Sequence, residues 1–193
     1  MFLLEDSMKL QTQKRPAEKK REVNRLRREG FIPAVIYRRG QPAENIAVIE
    51  SEYAALLRAV EPGRLSTRVF TLTNEDGASR RAILKEVQYN IINYKPIHLD
   101  FEELNEEESL NVKVPIECTG VVDCVGVKLG GAVRQPIRTI RVNCLPKDIP
   151  DAFFLDIRAM ALYDTKRLSD LEIPQTMKPL ANLNEVAVVI VKR

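Results

Sequence analysis

Short segments in which apolar and polar residues alternate recur along this chain, and they constrain its fold more than any other feature. Ile97, Leu99 and Phe101 alternate with His98 and Asp100. Successive side chains of a strand point to opposite faces, so this pattern directs the apolar set to a core and the His and Asp to the other face. The sequence therefore predicts a mainly β fold.

Further strands are predicted on either side of this segment. Asn74-Glu75-Asp76-Gly77 is typical of a hairpin turn between two strands. Ser51 is expected to cap a helix over 52–60. The strands expected in the first half, before 97–101, are 31–37, 45–50, 68–73 and 80–89.

The same alternation resumes after an acidic run at 102–109, which lacks hydrophobic periodicity and is interpreted as a linker. Pro115 indicates an edge or bulge position in the first of these later strands. Residues 126–131 are interpreted as a tight turn. The strands expected in the second half are 110–118, 140–144, 153–157 and 186–191.

Basic residues are concentrated in and around a helix that is predicted just before the first strand. Pro16 suits the first turn of a helix and Gly30 the position just past its end, with Val23 and Leu26 on its apolar side. Residues 9–39 contain eleven Lys/Arg and three Glu, a local net charge of +8, although the whole chain carries only +3. This charge favours a nucleic acid as partner over a merely solvated surface. The cations expected on the outer face of the helix are Lys20, Arg21, Arg25, Arg27 and Arg28.

Several other classes are excluded or disfavoured. No apolar run approaches the roughly 18 residues of a membrane span. The three cysteines form no CxxC pair, which favours a location in the reducing cytosol and argues against a metal or redox site. Cys118 and Cys144 are expected in the core. A hydrolase using His98 and Asp100 would need a nucleophile, which no local motif signals. From the residues alone, these two side chains are either surface groups or groups that read base edges.

With these residues in place, a resemblance to a known family is evident. Residues 25–37, RLRREGFIPAVIY, resemble the RxLRxxGxxPAVIY signature of the large-subunit ribosomal protein L-twenty-five family, which binds 5S rRNA. The VQ at 87–88 and the HLDF at 98–101 are similar to two further elements of that family. The second half resembles its longer branch, called general stress protein CTC, at the segments 112–115, 126–131, 144–150 and 168–171.

The resemblance implies two domains, an N-terminal small β-barrel with helices at 8–101 and a C-terminal all-β domain at 110–193, separated by the linker 102–109. Met1 or Met8 is the initiator. The implied function is that of a structural constituent of the large ribosomal subunit, located in the cytoplasm on the ribosome. It is not an enzyme and has no cofactor, metal, membrane or small-molecule substrate. The expected partners are 5S rRNA in the central protuberance and, through the C-terminal domain, neighbouring ribosomal proteins.

By position, the resemblance assigns RNA contacts to Arg15, Arg25, Arg27, Tyr37, Gln88, His98 and Asp100, and more weakly to Lys20, Arg21 and Arg28. Three departures affect the contacts. Residues 19–24 replace a Gly/Ser-rich stretch, Asn24 occupies a position that is usually Arg, and Arg38 replaces the Gly that usually follows the Tyr. An alternative function, a free stress-response RNA-binding factor acting off the ribosome, stays open because it would use the same RNA-binding face.

Overall fold

A computed structural model of the chain describes residues 8–15 and 20–192, with Lys20 described by its backbone alone. Pro16, expected in the first turn of the basic helix, lies outside these residues. The described chain divides into two compact units, one ending at Asn105 and the other beginning at Glu106. Both units are mainly β, and the first is a barrel with helices, so the predicted fold class is confirmed.

Six strands of the first unit form a closed barrel in the order β1-β3-β2-β6-β5-β4. The barrel closes through parallel pairing of β1 with β4, and β2 also runs parallel to β6. Two helices and a short 3-10 helix at Leu65–Thr67 complete the unit. The bounds are β1 Met8–Lys14, α1 Lys20–Arg28, β2 Phe31–Tyr37, β3 Glu44–Ile49, α2 Glu50–Ala59, β4 Val69–Asn74, β5 Ser79–Tyr89 and β6 Pro96–Glu103.

The inward residues of these strands form the barrel core. Phe70 and Phe101 meet edge to face with ring centroids 5.8 Å apart, a favoured arrangement of aromatic rings. Tyr53 of α2 is also buried in this core. Leu99 and Phe101 are fully buried, whereas His98 and Asp100 are partly exposed. The alternation therefore has the predicted orientation over residues 98–101, whereas Ile97 is only partly buried.

The start of α2 differs from the prediction. The helix begins at Glu50 rather than 52, and Ser51 is not its cap, because the N-cap position is Ile49 and has no side-chain cap bond. The backbone N–H of Glu50 instead donates to the carbonyl of Gly30 at 2.9 Å. A tertiary backbone contact thus satisfies a helix-end donor that we expected a hydroxyl to satisfy.

Two turns of the first unit agree with the sequence. Gly30 follows α1 with φ +86°, a left-handed conformation that glycine adopts without a steric penalty. The β4–β5 hairpin turns through Asn74–Gly77, where the N–H of Gly77 donates to the carbonyl of Asn74 at 3.0 Å. At the other end of the unit, Glu102 and Glu103 were expected in the linker but end β6, because they pair with Ile83 and Ala82 of β5.

The second unit contains a four-stranded sheet in the order β10-β7-β9-β12 and a three-stranded sheet in the order β11-β13-β8. Two short 3-10 helices occupy Pro146–Asp148 and Leu168–Asp170. The bounds are β7 Leu110–Thr119, α3 Val125–Lys128, β8 Gly131–Arg134, β9 Thr139–Cys144, β10 Phe153–Asp156, β11 Thr165–Arg167, β12 Lys178–Pro179 and β13 Val186–Lys192.

Pro115 lies in an interior strand, yet at a local edge. β7 pairs with β9 along residues 110–115, but its parallel pairing with β10 starts only at Ile116. The N–H of Ile116 points to β9, where it donates to the carbonyl of Arg138. The nitrogen of Pro115 therefore points to the other side, before β10 begins, and its missing N–H interrupts no pairing.

Residues 126–131 are not the simple turn we predicted. The short helix α3 covers Val125–Lys128, and Gly130 turns the chain with φ +87° before β8. Gly126 is buried, and a Cβ there would lie 2.9 Å from the backbone of Ala161. Close backbone packing therefore requires this glycine.

The structure shows the state of the cysteines, the arrangement of possible metal ligands and the lengths of the helices. All three cysteines are free, with Cys144 buried and Cys118 only partly so. In the described part of the chain, no group of three His, Cys, Asp or Glu side chains is arranged to hold a metal ion. No helix within residues 8–15 and 20–192 has the length and apolar character needed to cross a membrane.

Candidate nucleic-acid interface

The outward side of β2, β6 and β5 carries a compact set of polar side chains, which we name the polar face. Gln88 of β5 lies directly opposite His98 of β6, and Glu86 lies opposite Asp100. Tyr37 of β2 is paired with Glu102 of β6. The members of the polar face are Tyr37, Glu86, Gln88, His98, Asp100 and Glu102.

A one-residue bulge in β5 places Gln88 on this face. Leu84 pairs with Phe101 and Glu86 pairs with Asp100, so Lys85 has no partner in the ladder. If Lys85 instead paired with Asp100 in a regular ladder, the alternation would put Val87 opposite His98 and turn Gln88 inward. The bulge thus sends Val87 to the core, against which it packs, and leaves Gln88 exposed.

His98 and Asp100 follow each other along one side of β6. The Nδ1 atom of His98 lies 2.6 Å from Oδ1 of Asp100, and both side chains are about a quarter to a third exposed. The two atoms are close but not hydrogen-bonded, and Nδ1 of His98 has no hydrogen-bond partner among the described residues. The imidazole and the carboxylate therefore lie side by side, next to the exposed amide of Gln88.

Tyr37 sits among carboxylates at the end of β2. Partial burial raises the pKa of its hydroxyl above the ordinary 10.0, and the negative charges of Glu102, Asp100 and Glu86 raise it further. The hydroxyl therefore keeps its proton at neutral pH and remains a hydrogen-bond donor.

Glu86 and Glu102 were not predicted as site residues. Lys85, at the bulge, forms an ion pair with Glu102. Glu86 is exposed and lies opposite Asp100. The side-chain alternation along β5 after the bulge brings Glu86 to this face. No pattern in the sequence marks the position of the bulge.

Arg27 connects α1 to the edge of the polar face. Its Nε and one terminal nitrogen donate to the carbonyl of Ile97 at 3.3 and 3.0 Å, and the other terminal nitrogen donates to Oδ1 of Asn24 at 3.1 Å. Ile97 directly precedes His98 in β6. This guanidinium, for which an RNA contact is predicted, holds the helix against the barrel.

The other cations of α1 point to solvent. Arg25 forms an ion pair with Glu29 at 3.3 Å, and Arg28 donates to the carbonyl of Asn24 at 3.3 Å. Arg21 is exposed. The side chain of Lys20 lies outside the described residues. α1 therefore presents at least three exposed guanidinium groups and docks through Arg27.

Arg15 is aligned with Asp100 through a series of residues that pair from strand to strand across the barrel. Its Nε donates to the carbonyl of Ile46 at 3.0 Å and a terminal nitrogen to Oδ1 of Asn45 at 3.5 Å. Asn45 pairs with Val35, and Val35 pairs with Asp100. These pairings place the Arg15 guanidinium two strands from Asp100, about 10 Å across the sheet.

This arrangement separates two chemistries. Guanidinium groups on α1 and at Arg15 suit phosphate oxygens. The polar face offers carboxylate acceptors and the Tyr37 donor, which suit base edges, and its cation Lys85 is paired with Glu102.

Two family models match the chain. The Ribosomal L25p family matches residues 10–101. The C-terminal domain of ribosomal protein TL5 matches residues 109–193.

Curated relatives match nearly the whole length. The large ribosomal subunit protein bL25 of Chlamydia abortus is 44% identical over 186 residues, which is 96% of this chain and all of the relative. The proteins of the same name from Chlamydia muridarum and Chlamydia pneumoniae are 43% and 42% identical with the same coverage.

Proposed function

Since the chain belongs to the bL25 family of large-subunit ribosomal proteins, we propose that its first unit binds 5S rRNA and so helps to build the central protuberance. This is a family of structural ribosomal proteins rather than of enzymes. The observation that carries the proposal is the docking of a cationic helix beside His98 through Arg27.

The geometry supports a loop rather than a regular duplex as the RNA target. A regular A-form helix hides its major-groove base edges, so sequence-specific proteins read irregular or single-stranded regions. The acceptors on the polar face can recognise base amino groups, which phosphates do not carry. The residues we propose as RNA contacts are Arg15, Lys20, Arg21, Arg25, Arg28, Tyr37, Gln88, His98 and Asp100, with Arg27 as a positioning residue.

The role proposed for the second unit is contact with neighbouring proteins of the subunit. Large apolar side chains project from it to solvent, among them Val122 at 83% and Leu129 at 66% relative exposure. Exposed apolar side chains of this size are typical of surfaces that are covered by another protein.

The test uses the full chain and isolated 5S rRNA in a mobility-shift titration. D100A is expected to reduce the preference for 5S rRNA over a regular RNA duplex, because only the base-reading acceptor is lost. D164N is a matched control in the second unit, where Asp164 accepts from the N–H of Ala161. An unchanged preference for D100A would remove Asp100 from the interface.

Cosedimentation separates the ribosomal role from the alternative of a free RNA-binding factor. The chain is expected to pellet with large subunits at moderate salt. Recovery only in the ribosome-free fraction would contradict the structural role.

A further inference from the structure

A second cationic surface lies on the four-stranded sheet of the second unit. The outward side of β7, β9 and β12 carries three cations, two amides and a threonine, and its opposite side carries the buried apolar residues. We name this outward side the β9 face. Its members are Asn111, Lys113, Thr139, Arg141, Asn143 and Lys178.

The pairing register concentrates positive charge at its centre. Lys113 of β7 lies directly opposite Arg141 of β9. Side chains in this relation have Cβ atoms about 4.5–5.5 Å apart, and like charges there repel each other. Lys178 pairs with Asn143, two residues from Arg141 on the same strand. The three cations thus span three adjacent strands, about 10 Å.

Carboxylates do not neutralise two of these cations within the described chain. Arg141 and Lys178 are exposed, and neither forms an ion pair with any residue of 8–15 or 20–192. No member of the β9 face is acidic. The nearest acid farther along the same side of β7 is Glu117, four residues from Lys113, or about 13 Å.

The amides make the surface polar as well as positive. Asn143 donates to Oδ1 of Asn111 at 2.8 Å, which orders the pair across the two strands. Two exposed apolar side chains border these groups on the same side of the sheet: Leu180, whose N–H donates to the carbonyl of Arg141, and Phe154 of β10, which pairs with Glu117 of β7. The members of the β9 face are themselves polar or charged and suit phosphate oxygens.

From this charge pattern we infer that the β9 face binds the phosphate backbone of ribosomal RNA. The second unit then makes an RNA contact of its own, in addition to that of the first unit. Arg141 and Lys178 contact phosphate oxygens of an RNA strand that lies across β9 and β12. The inference rests on the proposed ribosomal role, which supplies the RNA.

The test measures binding of the full chain to large subunits that lack their bL25 protein, by pelleting over a range of KCl concentrations. The double variant R141E/K178E is expected to bind more weakly. The slope of its plot of log K against log salt is expected to be smaller in magnitude by about 1.4–1.8, because two phosphate contacts are lost. Thermal unfolding of the variant checks that it folds.

The matched control is R134E/K192E, which makes the same charge change on the three-stranded sheet. Both of its positions are exposed and lie on β8 and β13. This control is expected to keep the wild-type salt dependence. Equal salt slopes for wild type and R141E/K178E, or an equal change in the control, would overturn the inference.

Two further measurements identify the partner and separate the proposals. A photoreactive group at Thr139, two residues from Arg141 on β9, is expected to cross-link to RNA; cross-links to ribosomal protein alone would overturn the inference. Binding of the wild-type chain to isolated 5S rRNA tests the first unit separately. If wild type binds both targets and R141E/K178E is unaffected, only the β9 face fails.

Discussion

Substitution of Arg27 discriminates between a phosphate contact and a positioning role. Two donors of its guanidinium converge on the carbonyl of Ile97 at 3.0 and 3.3 Å. A charged hydrogen bond contributes about 1.5–3 kcal/mol. Because Arg27 is partly exposed, we take the lower half of that range for the docking of α1. R27A is then expected to weaken 5S rRNA binding about 12- to 40-fold.

The salt dependence of RNA binding distinguishes a positioning role of Arg27 from a phosphate contact. If Arg27 only positions α1, R27A lowers the affinity while the slope of log K against log salt changes by much less than one. R27K is expected to recover less than half of the lost free energy, because one ammonium group cannot reproduce two forked donors. Fluorescence anisotropy of labelled 5S rRNA, at four or more KCl concentrations, measures both quantities.

R21A is the matched control on the same helix. Arg21 is exposed, so its loss is expected to reduce the slope by about 0.7–0.9 for one phosphate contact and to leave the helix docked. A decrease of about one in the slope for R27A, with full recovery in R27K, would refute the positioning role. An unchanged affinity for R27A would refute any role of Arg27 in binding.

Two further predictions concern the polar face. Deletion of Lys85 removes only the unpaired residue and leaves Val87 inward and Gln88 outward. The free energy of unfolding in urea is therefore expected to fall by less than about 1 kcal/mol, as in K85A, which loses the same ion pair with Glu102; a loss of about 2–4 kcal/mol, the cost of exposing Val87 and burying Gln88, would contradict the register argument. Tyr37 is expected to titrate above its ordinary pKa of 10.0, measured as the difference in phenolate absorbance between wild type and Y37F. Its contribution to stability is present below pH 10 and declines as the pH rises through the raised pKa; E102Q is expected to lower that pKa, and titration of Tyr37 at or below 10.0 would contradict the prediction.

Much of the fold follows from local patterns. β2 has the predicted bounds, the hairpin at 74–77 forms, and His98 and Asp100 lie opposite the buried side of β6. These features depend on period-two alternation and turn residues, which are visible in a single segment. They are therefore accessible without knowledge of the tertiary structure.

The features that sequence reasoning missed depend on contacts between segments. Arg27 binds a main-chain carbonyl, and a carbonyl is present at every position, so residue 97 carries no sign of the contact. The bulge at Lys85 is a property of the pairing between β5 and β6. Without it, Glu86 cannot be assigned to the polar face. α2 begins two residues early because of a backbone bond to Gly30.

The closure of the barrel has a consequence for the chain before it meets its partners. A closed barrel has no unpaired strand edge, so the first unit offers no template for edge-to-edge aggregation. The second unit has open sheets whose outermost strands, β12, β11, β10 and β8, are only two to four residues long. Residues 110–115 of β7 also pair on one side only, and Pro115, which has no N–H to donate, lies in that stretch. The strand edges of both units are therefore expected to disfavour edge-to-edge pairing between newly made chains.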